Sequence, residues 1–209
     1  MRHLILPALT LFAALGLPAA ADPMGGVARV VLGHAIFAEG AAARDGLAQI
    51  AGARLAVGVT LQLTPRDAET EGKAPEGAGS AKAPRDALSL LTEAEAAVAA
   101  DETLSFLLAS TKSTADVLPK VTVKSTPAQI APGQKQHFKL ATDGGAALDL
   151  GLIGDGSGLL TLSVTADKAE LCRTTGLPLC LVTLPDSGFV TVTVENPGTE
   201  AENYLLITN

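Results

Sequence analysis

Apolar residues return every three or four positions through the first half of the chain and every second position through the rest. Val27, Val30, Val31, His34, Ala35 and Ala38 share one helical stripe, and Leu47, Ile50, Ala51, Arg54, Leu55 and Val59 share another. Asp22 and Pro23 are a start signal, because proline is tolerated in a first helical turn. A break between 40 and 45 separates the stripes, which predicts an antiparallel helical hairpin over 22–63. Its many Ala and Gly residues would let the two helices approach closely. Residues 64–84 hold no large apolar side chain. Such a stretch buries too little to offset the entropy of ordering, so a flexible linker is predicted there. Helical spacing resumes at Arg85, with Leu88, Leu91, Ala94 (or Glu95) and Val98 on one face. Asp101 reads as the N-cap of a further helix carrying Leu104, Leu107 and Leu108, giving a second helical pair over 85–116.

After Ser110 the period drops to two. Val117, Pro119, Val121 and Val123 alternate with their neighbours, and β-branched residues dominate from there on. Strands are predicted at 120–125, 136–141, 147–153, 159–166, 170–173, 179–183, 189–195 and 203–208. Gly- and Pro-containing turns at 131–133, 143–145, 154–158, 185–188 and 196–198 separate them. Short alternating strands punctuated at this spacing predict an antiparallel sandwich or barrel over 117–209. The fold class is therefore α+β, with helices first and sheet last.

The N-terminus follows neither period. Arg2 supplies a positive head, an apolar run extends from 4 to 17, and Ala19 and Ala21 place small residues at −3 and −1 before Asp22. This layout predicts a cleaved secretory signal over 1–21, and a periplasmic or secreted protein. Removing it from the 209 residues leaves 188, enough for one large domain or two small ones. No later segment reads as a membrane span, so no membrane insertion is expected after cleavage.

Export changes how the two cysteines are read. Cys172 and Cys180 both lie in the exported part. In an oxidising compartment such a pair predicts a disulfide. A redox site would need Cys-x-x-Cys spacing, and a metal site further ligands nearby. Loss of Arg2 moves the formal charge from −7 to −8. An acidic chain with no compensating Lys/Arg cluster is a poor partner for nucleic acid. The absence of Trp and the single Tyr, Tyr204, leave little material for aromatic platforms that grip sugars or bases.

Reactive constellations are hard to assemble from what remains. His34 falls on the apolar stripe of the first helix, where a satisfied, partly buried imidazole is expected. His137 sits in a strand with its direction undetermined. Neither has a partner at zinc-ligand spacing. Gly156, Ser157 and Gly158 do not complete a nucleophile elbow, since Asp155 and Leu159 stand where the outer glycines belong. Glu93, Glu95, Asp101 and Glu102, like Glu195, Glu200 and Glu202, read as solvated polar faces rather than acid–base pairs. Neither a catalytic residue nor a cofactor or metal is expected.

A resemblance adds to this reading. Gln136 to Leu140, Leu148-Asp149-Leu150, Gly154-Asp155-Gly156, Leu162-Ser163-Val164, the Cys172 and Cys180 pair, Pro185 to Gly188, Val190 to Asn196 and the ending Ala201 to Asn209 follow one another in a familiar order. In that order, residues 119–209 resemble the bacterial pre-peptidase C-terminal (PPC) domain. The resemblance implies a jelly-roll β-sandwich that is not catalytic and is commonly appended to secreted enzymes, often peptidases. Some members bind calcium through acidic residues after the Gly-Asp-Gly turn. Here Asp155 is kept, but Ser157, Gly158, Leu159 and Leu160 stand where further carboxylates would be needed for six to eight oxygen ligands. The expected function is an exported, non-catalytic interaction or assembly module with a protein partner in the cell envelope. The alternatives are a module binding an extracellular polysaccharide or peptide, and a regulator of a secreted peptidase.

Overall fold

A computed structural model of the chain describes residues 24–74, 84–117, 119–156, 160–174 and 176–209. The expected export segment, the helix start at Asp22 and Pro23, part of the expected linker (75–83), and Ser157, Gly158 and Leu159 lie outside the described residues. Within them the chain is α+β, as its two periods require. Helices α1 (Gly26–Ala43) and α2 (Gly46–Val57) form the first hairpin, and α3 (Ala87–Val98) and α4 (Glu102–Ala115) the second pair. Asp45, Asp86 and Asp101 each cap the helix that follows, accepting from the backbone N–H groups of Ala48, Ser89 and Leu104.

Among the described residues ten strands build two five-stranded sheets. The first, sheet A, has the order β1 (Val59–Leu63), β3 (Val121–Ile130), β10 (Glu202–Thr208), β5 (Ala147–Gly154), β8 (Leu179–Thr183). Sheet B has the order β2 (Glu69–Glu71), β4 (Lys135–Thr142), β9 (Gly188–Glu195), β6 (Thr161–Ala166), β7 (Ala169–Thr174). Every pairing is antiparallel except β1 with β3. The eight predicted strands are all present, several of them a few residues longer.

Two further strands fall where none was expected. The helical hairpin ends at Val57, and Val59–Leu63 runs parallel to β3 instead of continuing α2. Residues 64–73 then cross the open side of the sandwich from sheet A to sheet B. They are held by hydrogen bonds rather than by apolar burial. Thr64 N donates to Ser125 O at 2.8 Å and Thr126 Oγ1 donates to Thr64 O at 2.7 Å. Arg66 donates to Thr126 Oγ1 at 2.7 Å and to Thr208 Oγ1 at 2.8 Å, and Glu69–Glu71 pairs with β4. The part of the expected linker that is described is thus ordered.

Two apolar cores share sheet A. Between the sheets lie Phe138, Leu150, Leu152, Leu162, Val190, Val192, Tyr204 and Leu206. On the other side of sheet A, Val123, Ile153 and Ile207 join Val27, Val30, Val31, Phe37, Ile50, Leu90 and Leu91 from the helices. The helices are therefore a third layer on the sandwich. Gly151 makes the contact close, since a Cβ there would lie 2.5 Å from Val31 Cγ2. Between α1 and α2, Gly33 and Gly52 face each other so closely that a Cβ on Gly52 would lie 2.5 Å from Gly33 O.

This glycine seam turns α2 away from its expected orientation. The buried residues are Gln49, Ile50, Gly52, Ala53, Ala56 and Val57, while Leu47, Ala51 and Arg54 are exposed. Leu88 is likewise exposed, with Leu90 taking the buried position on α3. By length and composition alone α1 could cross a membrane, contrary to the expectation that no segment after residue 21 qualifies. Its apolar face is instead committed to α2 and to β5.

Candidate functional site

Cys172 and Cys180 are joined, linking β7 to β8 with their Cα atoms 6.0 Å apart. β7 is an edge of sheet B and β8 an edge of sheet A, so the bond staples one open side of the sandwich. The opposite side carries the crossing segment clamped by Arg66.

His137 points outward from sheet B. Its Nδ1 lies 2.9 Å from Thr193 Oγ1 and its Nε2 lies 3.2 Å from Glu71 Oε2. A Thr–His–Glu chain is chemically suggestive, yet both ring nitrogens are engaged and the carboxylate is on an exposed strand edge. The ring ties β2 to β4.

The surrounding face follows from strand register. Lys135, Glu195 and Thr161 form one row across it, then His137, Thr193, Ser163 and Arg173, then Lys139, Thr191, Thr165 and Glu170. The inward neighbours in the same strands are the core residues Phe138, Leu140, Val190, Val192, Val194, Leu162 and Val164. Alternation thus leaves a hydroxyl-rich face of mixed charge, which no helix covers among the described residues. At one end lies a groove of about 570 Å³ lined by Lys139, Asp186, Ser187, Phe189 and Thr191. The Lys139 ammonium sits 4.5 Å from the centre of the exposed Phe189 ring.

His34 lies on the opposite side of the molecule's core, in a cleft of about 180 Å³ at the end of the sandwich beneath α1. Val31, Ala35, Leu152, Leu160, Leu177 and Pro178 give the cleft apolar walls, and Arg85, Asp155 and Glu202 bring charge to it. Burial, with a further push from Arg85, lowers the imidazole to a pKa of about 4, against a smaller opposing effect of Asp86. The ring is neutral at neutral pH. Arg85 is held by Glu93 at 3.2 Å and by the Phe37 ring.

Glu202 departs most from its expected place. It is 1 % exposed, and its Oε2 has no hydrogen-bond partner among the described residues. It shares the inward phase of Tyr204 and Leu206 in β10, which is why a carboxylate at a strand start is buried. Burial first, and then the charge of Asp155, raise its carboxyl above the ordinary range. The other carboxylates lie as expected: Glu95 pairs with Lys112 at 2.6 Å, Glu195 with Lys135 at 3.6 Å, and Asp101 caps α4. Among the described residues no three His, Cys, Asp or Glu side chains gather in a way that could hold a metal.

No protein family matches the chain by sequence, and no curated protein does. Similar solved structures include PliG from Aeromonas hydrophila, a periplasmic lysozyme inhibitor of g-type lysozyme. That likeness has 17% identity and a TM-score of 0.37, and it covers 42% of this chain and 84% of the inhibitor. A de novo designed double-stranded β-helix has 9% identity and a TM-score of 0.29, with 41% of this chain and 97% of the design covered. At these scores neither likeness bears on fold or function.

Proposed function

We propose that the chain is an exported, non-catalytic protein whose β-sandwich is an interaction module for a protein partner in the cell envelope, with the helices as an accessory layer. The observation that carries this reading is the use made of the four sheet faces. Both faces of sheet A and the inner face of sheet B are spent on packing, which leaves the outer face of sheet B to meet a partner. That face offers the half-buried hydroxyls of Thr165, Thr191 and Thr193 between Lys135, Lys139, Arg173, Glu170 and Glu195, while Thr161 and Ser163 are buried beneath their neighbours. This is a composition suited to hydrogen-bonded, charge-complementary contact rather than to enclosing a small substrate. The export layout at 1–21 and the stapled Cys172 and Cys180 support an oxidising destination, periplasmic or extracellular. The resemblance of 119–209 to PPC domains belongs to the same reading, as does a role for the sandwich beside a secreted enzyme.

A photo-crosslinking residue at Thr191 tests the assignment, with Ala97 on α3 as the control position. Discrete adducts in intact cells from position 191 and none from 97 are expected. Adducts confined to 97, or turnover of a substrate by the purified protein, would overturn it.

The groove beside Phe189 favours a second reading, a module for an extracellular polysaccharide or peptide. A saturable rise in melting temperature with one of these classes, abolished by Phe189→Ala, would select it over the first.

A further inference from the structure

A buried carboxylate with no partner is costly, and native structures that keep one have a use for it. One oxygen of Glu202, Oε2, has no hydrogen-bond partner among the described residues, and the side chain lines the cleft beneath α1. Its Oε2 lies beside Gly154, where a Cβ would come within 3.3 Å. Glycine at 154 therefore leaves only backbone beside an oxygen that is itself closed to water. Asp155 follows at the same turn, its Oδ2 accepting from the Asn203 backbone N–H at 3.2 Å, so its charge stands beside that of Glu202. Arg85, which also lines the cleft, is already held by Glu93 and Phe37.

We propose that this cleft binds an ammonium group carried on an aliphatic stem, either a lysine side chain or a small alkylamine, with Glu202 as its counter-charge. The stem packs against Val31, Ala35, Leu152, Leu160, Leu177 and Pro178, and the Glu202 carboxylate, closed to water in the structure, turns to meet the ammonium. Neutral His34 offers a ring nitrogen as an additional acceptor. A bare divalent cation suits the cleft less well, since a hard ion of that kind takes six to eight oxygens and the walls are mostly apolar. Burial of a carboxylate in such walls instead strengthens a single charge-assisted hydrogen bond.

The test is titration of the full chain, followed by amide chemical shifts, with n-butylammonium chloride, n-butanol, calcium chloride and a blocked lysine-containing pentapeptide. Butylammonium is expected to give saturable shifts at Gly154, Asp155 and Asn203, and butanol none. Glu202→Gln keeps the size and removes the charge. Gly154→Ala keeps the charge and sets a methyl group 3.3 Å from Oε2. Each should weaken butylammonium binding at least about tenfold, the scale of a lost hydrogen bond to a charged group. Should one variant fold poorly, the other still decides. A peptide that binds more tightly than butylammonium assigns a protein lysine, and the reverse order a free amine. Failure of butylammonium to saturate, undiminished binding to Glu202→Gln, or shifts at these residues with calcium alone would overturn the proposal.

Discussion

His34 couples the cleft to pH. The unfolded chain takes up a proton at this ring near pH 6.5, whereas the folded chain does so only near 4, because burial and Arg85 oppose the charged form. Between those values the unfolded state holds more protons, so acidification favours unfolding. The contribution is present in full above about pH 6.5 and is lost as the pH falls to about 4, a change on the order of 3 kcal/mol. Glu202 and Asp149, whose carboxyls are raised by burial, act in the opposite sense and partly mask it. The test is therefore a difference. His34→Gln should show a smaller loss of stability than the parent between pH 6.5 and 4 in urea unfolding, and identical slopes would refute the assignment. The apolar stripe Val27, Val30, Val31 placed His34 on a packed face from sequence alone. Glu202, which the sequence reading puts on a solvated face, is buried by the same logic. It stands two residues before Tyr204 and four before Leu206, so a strand begun one residue earlier puts it inside. Charge alone predicts exposure, but the phase of the strand decides otherwise.

Among the elements, the crossing segment differs most from its sequence. Thr64 to Lys73 has nothing to bury except Ala68, which touches the inter-sheet core. Its order comes from partners as much as about 140 positions away in the chain, Thr126 and Thr208, which no local pattern reveals. Arg66 is the clamp. Arg66→Ala should cost about 1–2 kcal/mol, the worth of two side-chain hydrogen bonds partly replaced by water. Hydrogen exchange should show the amides of Glu69–Glu71 losing protection while α1 and α2 keep theirs. Unchanged protection in β2 would mean that its pairing with β4 suffices. Strand periods were legible because each inward Val, Leu or Phe alternates with an outward Thr, Lys or Glu, as in Phe189–Glu195. Helical faces were less so. In α2 the contact is made by Gly52, Ala53 and Ala56, whose small side chains barely register as apolar, while Leu47 and Leu55 drew the expected face toward themselves. Close approach at Gly33 and Gly52 set the rotation.

At the scale of the whole molecule, the pattern's division into a helical half and a β half is not a division into independent units. Sheet A is apolar on both faces. β10 shows this best, sending Tyr204 and Leu206 toward sheet B while Ile207, with Leu205 packed against the same core, goes to the helices. A fragment of residues 117–209 would expose Val123, Ile153, Leu179, Leu205 and Ile207 together, a contiguous patch that favours aggregation. The staple at Cys172 and Cys180, worth about 2–3 kcal/mol for so short a loop, does not offset that exposure. The fragment is therefore expected to be aggregated or loosely packed. The full chain, in contrast, should unfold in one step. Tyr204, the single tyrosine, is wholly buried in the inter-sheet core, and there is no tryptophan, so near-UV dichroism follows the sandwich through one ring. Far-UV dichroism is dominated by the helices. The two signals should share one midpoint. A helical signal that melts ahead of Tyr204, or a fragment that folds as a cooperative monomer, would show that the layers are separable and that the helices only decorate a self-sufficient sandwich.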